Sequence, residues 1–223
     1  MTRPRRTSCR ISRSSVGQRV VVATLLLAGA LLSGRQALAE GEVPNEPRLF
    51  LRLAIGPAFN YESWSPSGPN AGASYTGWAP VLEVAVGRRV RPRLVIAGDL
   101  QLAAVVNRTQ SYLGGSYPLA GTLHFLDMLS AIADYTLWRH PRFHGGGGIG
   151  LLLVTDVDTQ MGSTPTNLGL ALSVHAGYQW RRARVWSIGV MGRLTFYRFG
   201  SDTPPPSSSS IGFLPVLLLT VTR

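Results

Sequence analysis

Leu49-Phe50-Leu51-Arg52-Leu53-Ala54-Ile55-Gly56-Pro57-Ala58-Phe59-Asn60-Tyr61 alternates with a period of two. The odd positions, Leu49, Leu51, Leu53, Ile55, Pro57, Phe59 and Tyr61, are apolar or aromatic. The even positions are mostly small or polar: Phe50, Arg52, Ala54, Gly56, Ala58 and Asn60. An extended chain sends successive side chains to opposite faces, so this stretch is a strand with two unlike faces.

The same pattern recurs seven times. Trp78 to Val86 alternates around Glu83, and Leu94 to Val106 around Asp99 and Gln101. Leu129 to Leu137 alternates around Ser130 and Asp134, and Phe143 to Leu153 around His144 and a row of glycines. Leu168 to Trp180 sets its leucines against Ser173, His175 and Gln179. Trp186 to Phe196 opposes Arg193 and Thr195, and Phe213 to Val221 opposes Gly212, Thr220 and Thr222. The links between these strands alternate in length. Long ones run over Glu62–Gly77, Asn107–Gly121, Asp156–Asn167 and Gly200–Ser210, and short ones over Arg88–Pro92, Arg139–Pro141 and Arg181–Arg184. The expected architecture is all-β, an eight-stranded antiparallel up-and-down barrel with every long loop at one end.

Which face meets which solvent follows from size and polarity. The polar faces are rich in Gly and Ala with isolated charges, too small for a water-washed exterior and suited to a narrow eight-strand lumen. The large apolar side chains would overfill that lumen and fit lipid instead. With the first strand running outward, Phe59, Tyr61, Trp78, Phe196, Phe199 and Phe213 gather at the loop end. Tyr135, Trp138, Phe143, Tyr178, Trp180 and Trp186 gather at the turn end. Two aromatic girdles are what the two interfaces of a membrane favour.

The N-terminus reads as an address. Arg3, Arg5, Arg6, Arg10, Arg13 and Arg19 precede an uncharged, mainly apolar run of 15 residues, Val20 to Gly34, and Ala37-Leu38-Ala39 then supplies a small-x-small cleavage pattern. This is a secretory signal peptide, too short for a membrane anchor. Residues 1–39 are expected to be removed, 40–47 to form a short periplasmic segment, and 48–223 to form the barrel. The sole Cys, Cys9, lies in the leader, so disulfide and thiolate chemistry are excluded from the mature chain.

Composition fits this division. The net charge of +11 suggests nucleic acid, but seven of the 22 arginines lie in residues 1–39 without an acid. Beyond them, 15 arginines face 11 acids, and a nucleic-acid partner loses its main support.

Together the leader, the eight alternating strands and the run Phe143-His144-Gly145-Gly146-Gly147-Gly148-Ile149-Gly150 resemble the small OmpA/OmpX-type outer-membrane β-barrel family. The resemblance is architectural and covers residues 48–223. It implies residence in the outer membrane of a Gram-negative-type envelope, with outer-membrane lipids and the outer-membrane assembly machinery as partners. Members end in a strand with a terminal aromatic residue, whereas this chain ends Leu217-Leu218-Leu219-Thr220-Val221-Thr222-Arg223.

Candidate chemistry is sparse. Gly145-x-Gly147-x-x-Gly150 has the spacing of a dinucleotide fingerprint, but a strand and not a helix follows it, so no cofactor is expected. Asp156-Val157-Asp158 offers too few carboxylates for a cation cage, and no metal is expected. His124, His144 and His175 show no Ser-His-acid spacing, so no catalytic residue is assigned. Arg52, Glu83, Asp99, Asp134 and Arg193 share the inward face on five strands and are expected to form a lumen charge network, since isolated buried charges are costly. The girdle residues of interest are Phe59, Tyr61, Trp78, Tyr135, Phe143, Trp180, Trp186, Phe196 and Phe213. The expected function is non-enzymatic: an integral outer-membrane barrel that presents exposed loops for envelope integrity or surface interaction. The rivals are a secreted lipocalin-like barrel holding an apolar ligand and a lipid-modifying outer-membrane enzyme.

Overall fold

The alternating segments all form strands, because each can bury one face only by curling into a closed sheet. The structure, a computed structural model, describes residues 49–65, 72–112, 115–119, 121–158, 162–163, 166–182, 186–201 and 208–223. The leader 1–39 and the segment 40–47 lie outside the described residues. The strands are β1 (Leu49–Ser65), β2 (Ala73–Arg91), β3 (Leu94–Tyr112), β4 (Gly115–Pro118), β5 (Thr122–Thr136), β6 (Phe143–Asp158), β7 (Gly162–Ser163), β8 (Asn167–Arg182), β9 (Ser187–Ser201) and β10 (Ser208–Thr222). The short β4 and β7 are side pairings on β3 and β6; the other eight form the wall.

The wall closes antiparallel, each strand pairing with the next and β10 with β1. Its stagger can be read from the ladder. From Arg52 the paired partners run Ala85, Asp99, Ser130, Gly150, Ala171, Tyr197 and Gly212, and return to β1 at Glu62, ten residues along. With a rise of about 3.3 Å per residue and about 4.8 Å between strands, that shear tilts the strands by about 40°. Closure leaves no unpaired edge, which a lipid environment demands.

The two faces separate cleanly. Ile55, Leu168, Leu170 and Leu217 project outward, each more than 60% exposed, while Arg52, Glu83, Asp99 and Arg193 point inward at 3% or less. A water-soluble barrel would have the opposite arrangement, so the lipocalin-like alternative is excluded and the wall is lipid-facing. All nine girdle aromatics are outside. At the loop end Phe59 meets Trp78 edge to face at 5.4 Å, and Tyr61 stacks on Phe213 at 5.1 Å. At the turn end Phe143 meets Tyr178 at 4.8 Å. Phe199 is a correction: it faces the lumen at 8% exposure and stacks on Tyr197, because it shares the parity of Arg193 and Thr195 and not that of Phe196.

The long links are shorter than their sequence suggests. β1 runs on to Ser65 and β2 begins at Ala73; β3 continues through Asn107 to Tyr112 and pairs with β4. β6 reaches Asp158 and β9 Ser201. These extensions are rich in Ser, Thr and Tyr, and their inward face carries charged groups such as Glu62 and Arg108, so no apolar alternation marks them.

Candidate functional site: two charged layers in the lumen

Seven of the eight wall strands send polar side chains into one layer near the turn end. Arg52 on β1 donates through Nε to Glu83 Oε1 at 2.9 Å and through Nη1 to Asp134 Oδ2 at 2.8 Å. Arg193 on β9 donates through Nη1 to Glu83 Oε2 at 2.9 Å and Asp99 Oδ2 at 2.6 Å, and through Nη2 to Ser173 Oγ at 3.0 Å. His144 Nδ1 on β6 lies 3.0 Å from Asp134 Oδ2, and His175 Nε2 on β8 lies 3.2 Å from it. The five charged residues singled out in the sequence therefore form one chain, Asp99–Arg193–Glu83–Arg52–Asp134, which ends on two imidazoles. Gln179, also inward, instead accepts from Ser187 Oγ at 3.2 Å.

Glycine makes the layer possible. Gly146 and Gly177 lie across the ladder from Asp134 and His144. A Cβ at Gly177 would run into the His144 imidazole, and one at Gly146 into the Ala133 carbonyl. The glycine run of β6 thus accommodates its neighbours' bulk. Instead of opening a helix, as a dinucleotide loop would, it continues as strand.

Asp134, His144 and His175 together offer the donor set that a transition metal uses. Arg52 already sits on the same carboxylate oxygen that both imidazoles face. A metal ion there would have to share that oxygen with the guanidinium, whose charge opposes it. Both imidazoles hydrogen-bond to Asp134, and the Ser173 hydroxyl is held by Arg193.

A second charged layer lies near the loop end. Arg108 donates through Nη2 to Glu62 Oε2 at 2.9 Å and through Nη1 to Asp156 Oδ1 at 3.2 Å, with its guanidinium 4.1 Å above the Tyr75 ring. His124 Nδ1 lies 2.6 Å from Asp156 Oδ1 and its Nε2 lies 3.5 Å from Glu62 Oε2. Nearby, Tyr197 donates to Asn60 Oδ1 at 2.5 Å. Asp156 thus serves a lumen ion cluster; the side chain of Asp158 lies outside the described residues. Sequence reasoning missed this cluster because it placed Glu62, Arg108 and Asp156 in loops. The available signal was Asn107. Its φ of 53° and the register shift at Thr76/Trp78 mark a bulge, which moves the inward parity from Val105 to Arg108.

Between the layers the lumen is mostly apolar, with Gln101 and Thr195 buried among aliphatic side chains. β5 carries Asp134 in one layer and His124 in the other, with Leu126 and Met128 between them, both fully buried. β6 runs from His144 through Leu152 to Asp156, and β10 contributes Leu214 and Leu218, again fully buried. Arg52 and Glu62 lie ten residues apart on β1, which at this tilt sets the layers about 25 Å apart along the axis.

No protein-family model matches the chain, and no curated protein matches it. Solved structures with a similar chain path include neisserial surface protein A, with 15% identity, a TM-score of 0.47, and coverage of 78% of this chain and 95% of that one. The outer membrane protein OprG from Pseudomonas aeruginosa gives 10%, 0.46, 82% and 99%. The outer membrane protease OmpT from Escherichia coli gives 8%, 0.39, 82% and 99%. The fold assignment rests on the closed ladder and the two-faced wall rather than on these likenesses. On those grounds the chain is an eight-stranded transmembrane β-barrel of the outer-membrane type.

Proposed function

We propose that this protein is a non-enzymatic, non-conducting barrel of a Gram-negative-type outer membrane that holds its loop-end strands and loops at the cell surface. The observation that carries the reading is the filled lumen. Two cross-strand ion clusters brace the wall, and the fully buried Leu126, Met128, Leu152 and Leu214 between them support a lumen closed to water and substrate. Both imidazole clusters point at carboxylates already engaged by arginine. What remains accessible is the polar rim beyond the girdle, including the exposed β4 hairpin, and binding residues gather on such loops.

Cysteine labelling tests the surface reading, because Cys9 in the leader is the chain's only cysteine. Ser116→Cys, on β4, should react with a membrane-impermeant maleimide on intact cells, and Arg91→Cys, at a short turn, should react only after the outer membrane is breached. The reverse pattern contradicts the reading. Incubation of the folded barrel with phospholipid and lipid A should leave both unchanged by mass spectrometry; a deacylated or otherwise modified product would make it an enzyme.

A further inference from the structure

The charge outside the lumen is strongly polarised. The turn segments 88–93, 139–142 and 181–184 hold nine arginines, and Arg223 on the neighbouring strand end is a tenth. No Asp or Glu occurs in residues 87–94, 137–144 or 180–190. At the loop end the arginine excess is absent: besides the lumen cluster the sequence carries Asp158 and Asp202 there against Arg198. Solubility alone needs no such bias, because mixed charges serve a turn equally well.

The arginines are positioned as well as concentrated. The Arg93 guanidinium lies 3.6 Å from the Trp138 ring centroid, and that of Arg223 lies 5.8 Å from Trp186. Arg142 Nη1 donates to the Tyr178 hydroxyl at 3.3 Å. Each pairing ties a guanidinium to an aromatic ring at the turn-end girdle, the depth at which headgroups lie. Arg88, Arg91 and Arg139 are exposed beside them, and Arg142 is itself exposed. The turns join β2 to β3, β5 to β6 and β8 to β9, and Arg223 follows β10, so the charge is distributed around the whole circumference. A macromolecule docking on one side would meet only part of such a ring. The surrounding lipid leaflet meets all of it.

We propose that this arginine ring binds the anionic phospholipid headgroups of the leaflet at the turn end, giving the barrel a selective lipid annulus on that side. The guanidinium fork matches two phosphate oxygens, and stacking on Trp limits the freedom lost on binding. The site is a set of separate phosphate contacts, so the preference should be electrostatic and sensitive to salt.

The test uses the full mature chain folded into vesicles of equal parts phosphatidylcholine and phosphatidylglycerol, with spin-labelled lipids reporting which headgroup occupies the annulus. At low salt the labelled phosphatidylglycerol should be preferred about fivefold, and molar salt should remove most of that preference. The quadruple variant Arg88→Gln/Arg91→Gln/Arg139→Gln/Arg142→Gln should bring the ratio close to one, and Arg198→Gln, exposed at the loop end, should leave it unchanged. Heat-modifiable gel mobility confirms that each variant is folded. If the quadruple variant does not fold, the salt series on the wild-type protein decides. A wild-type ratio near one, a preference unaffected by salt, or a folded quadruple variant that retains it overturns the proposal. So does displacement of the labelled lipid by soluble polyphosphate at low concentration, which would make the ring a site for a soluble polyanion.

Discussion

Arg52 and Asp134 lie 82 residues apart in sequence and meet at 2.8 Å inside the barrel. The pairing joins β1 to β5, strands that share no ladder, so it braces the wall across the lumen. Arg193 and Glu83 do the same between β9 and β2 at 2.9 Å. In a barrel whose ladder supplies only neighbour contacts, these diagonal ties resist ovalisation.

Removing one side of such a tie strands its partner. Asp134→Ala leaves Arg52 short of a carboxylate and both imidazoles without an acceptor. The expected loss is about 3–5 kcal/mol if the layer is dry, and less if water enters. Urea unfolding in detergent micelles measures it. Arg198→Gln, on the exposed face, should change stability by no more than about 0.5 kcal/mol and serves as the control. Equal effects of the two substitutions would deny the layer any bracing role.

The lipid-facing wall makes its own prediction. Leu53 and Leu217 project outward at 42% and 61% exposure. Leu53→Arg or Leu217→Arg should cost roughly 2–4 kcal/mol on folding into a bilayer. Ala85, fully buried in the lumen, should respond to bulk instead, with Ala85→Leu costing about 1–3 kcal/mol through crowding. Folding yields and unfolding midpoints in vesicles distinguish the two kinds of penalty.

The bulge at Asn107 gives a third. Its φ of 53° suits Asn or Gly and opposes a β-branched side chain. Asn107→Gly should be close to neutral. Asn107→Val should cost about 1–2 kcal/mol from the left-handed backbone alone. If Asn107→Val instead restores regular alternation, Arg108 turns outward and loses Glu62, and hydrogen exchange at the loop end should then rise while the turn-end layer stays protected.

The readability of the chain varied with the regularity of its alternation. Along Leu49–Tyr61 and Leu168–Trp180 every second residue is apolar, so the faces, and with them the inward parity of Arg52 and His175, were plain. Which acid meets which arginine was not, because the register between strands belongs to the ladder and not to any one strand. The apolar plug was hidden for a different reason. In Phe213–Leu219 both faces are apolar, so Leu214 and Leu218 carry no contrast with Phe213 and Leu217. The loop-end cluster was lost where the polar strand extensions remove the signal and where one residue, Asn107, reverses the parity of those that follow it.

The most direct test of the central claim, a lipid-embedded barrel sealed by its own side chains, is single-channel recording. The folded mature protein in a planar lipid bilayer should show no discrete conductance steps over hours at moderate voltage, in neutral or anionic lipid. Long-lived openings of uniform size in the wild-type protein would contradict the account, since ions would then be crossing the layer formed by Leu126, Met128, Leu152 and Leu214.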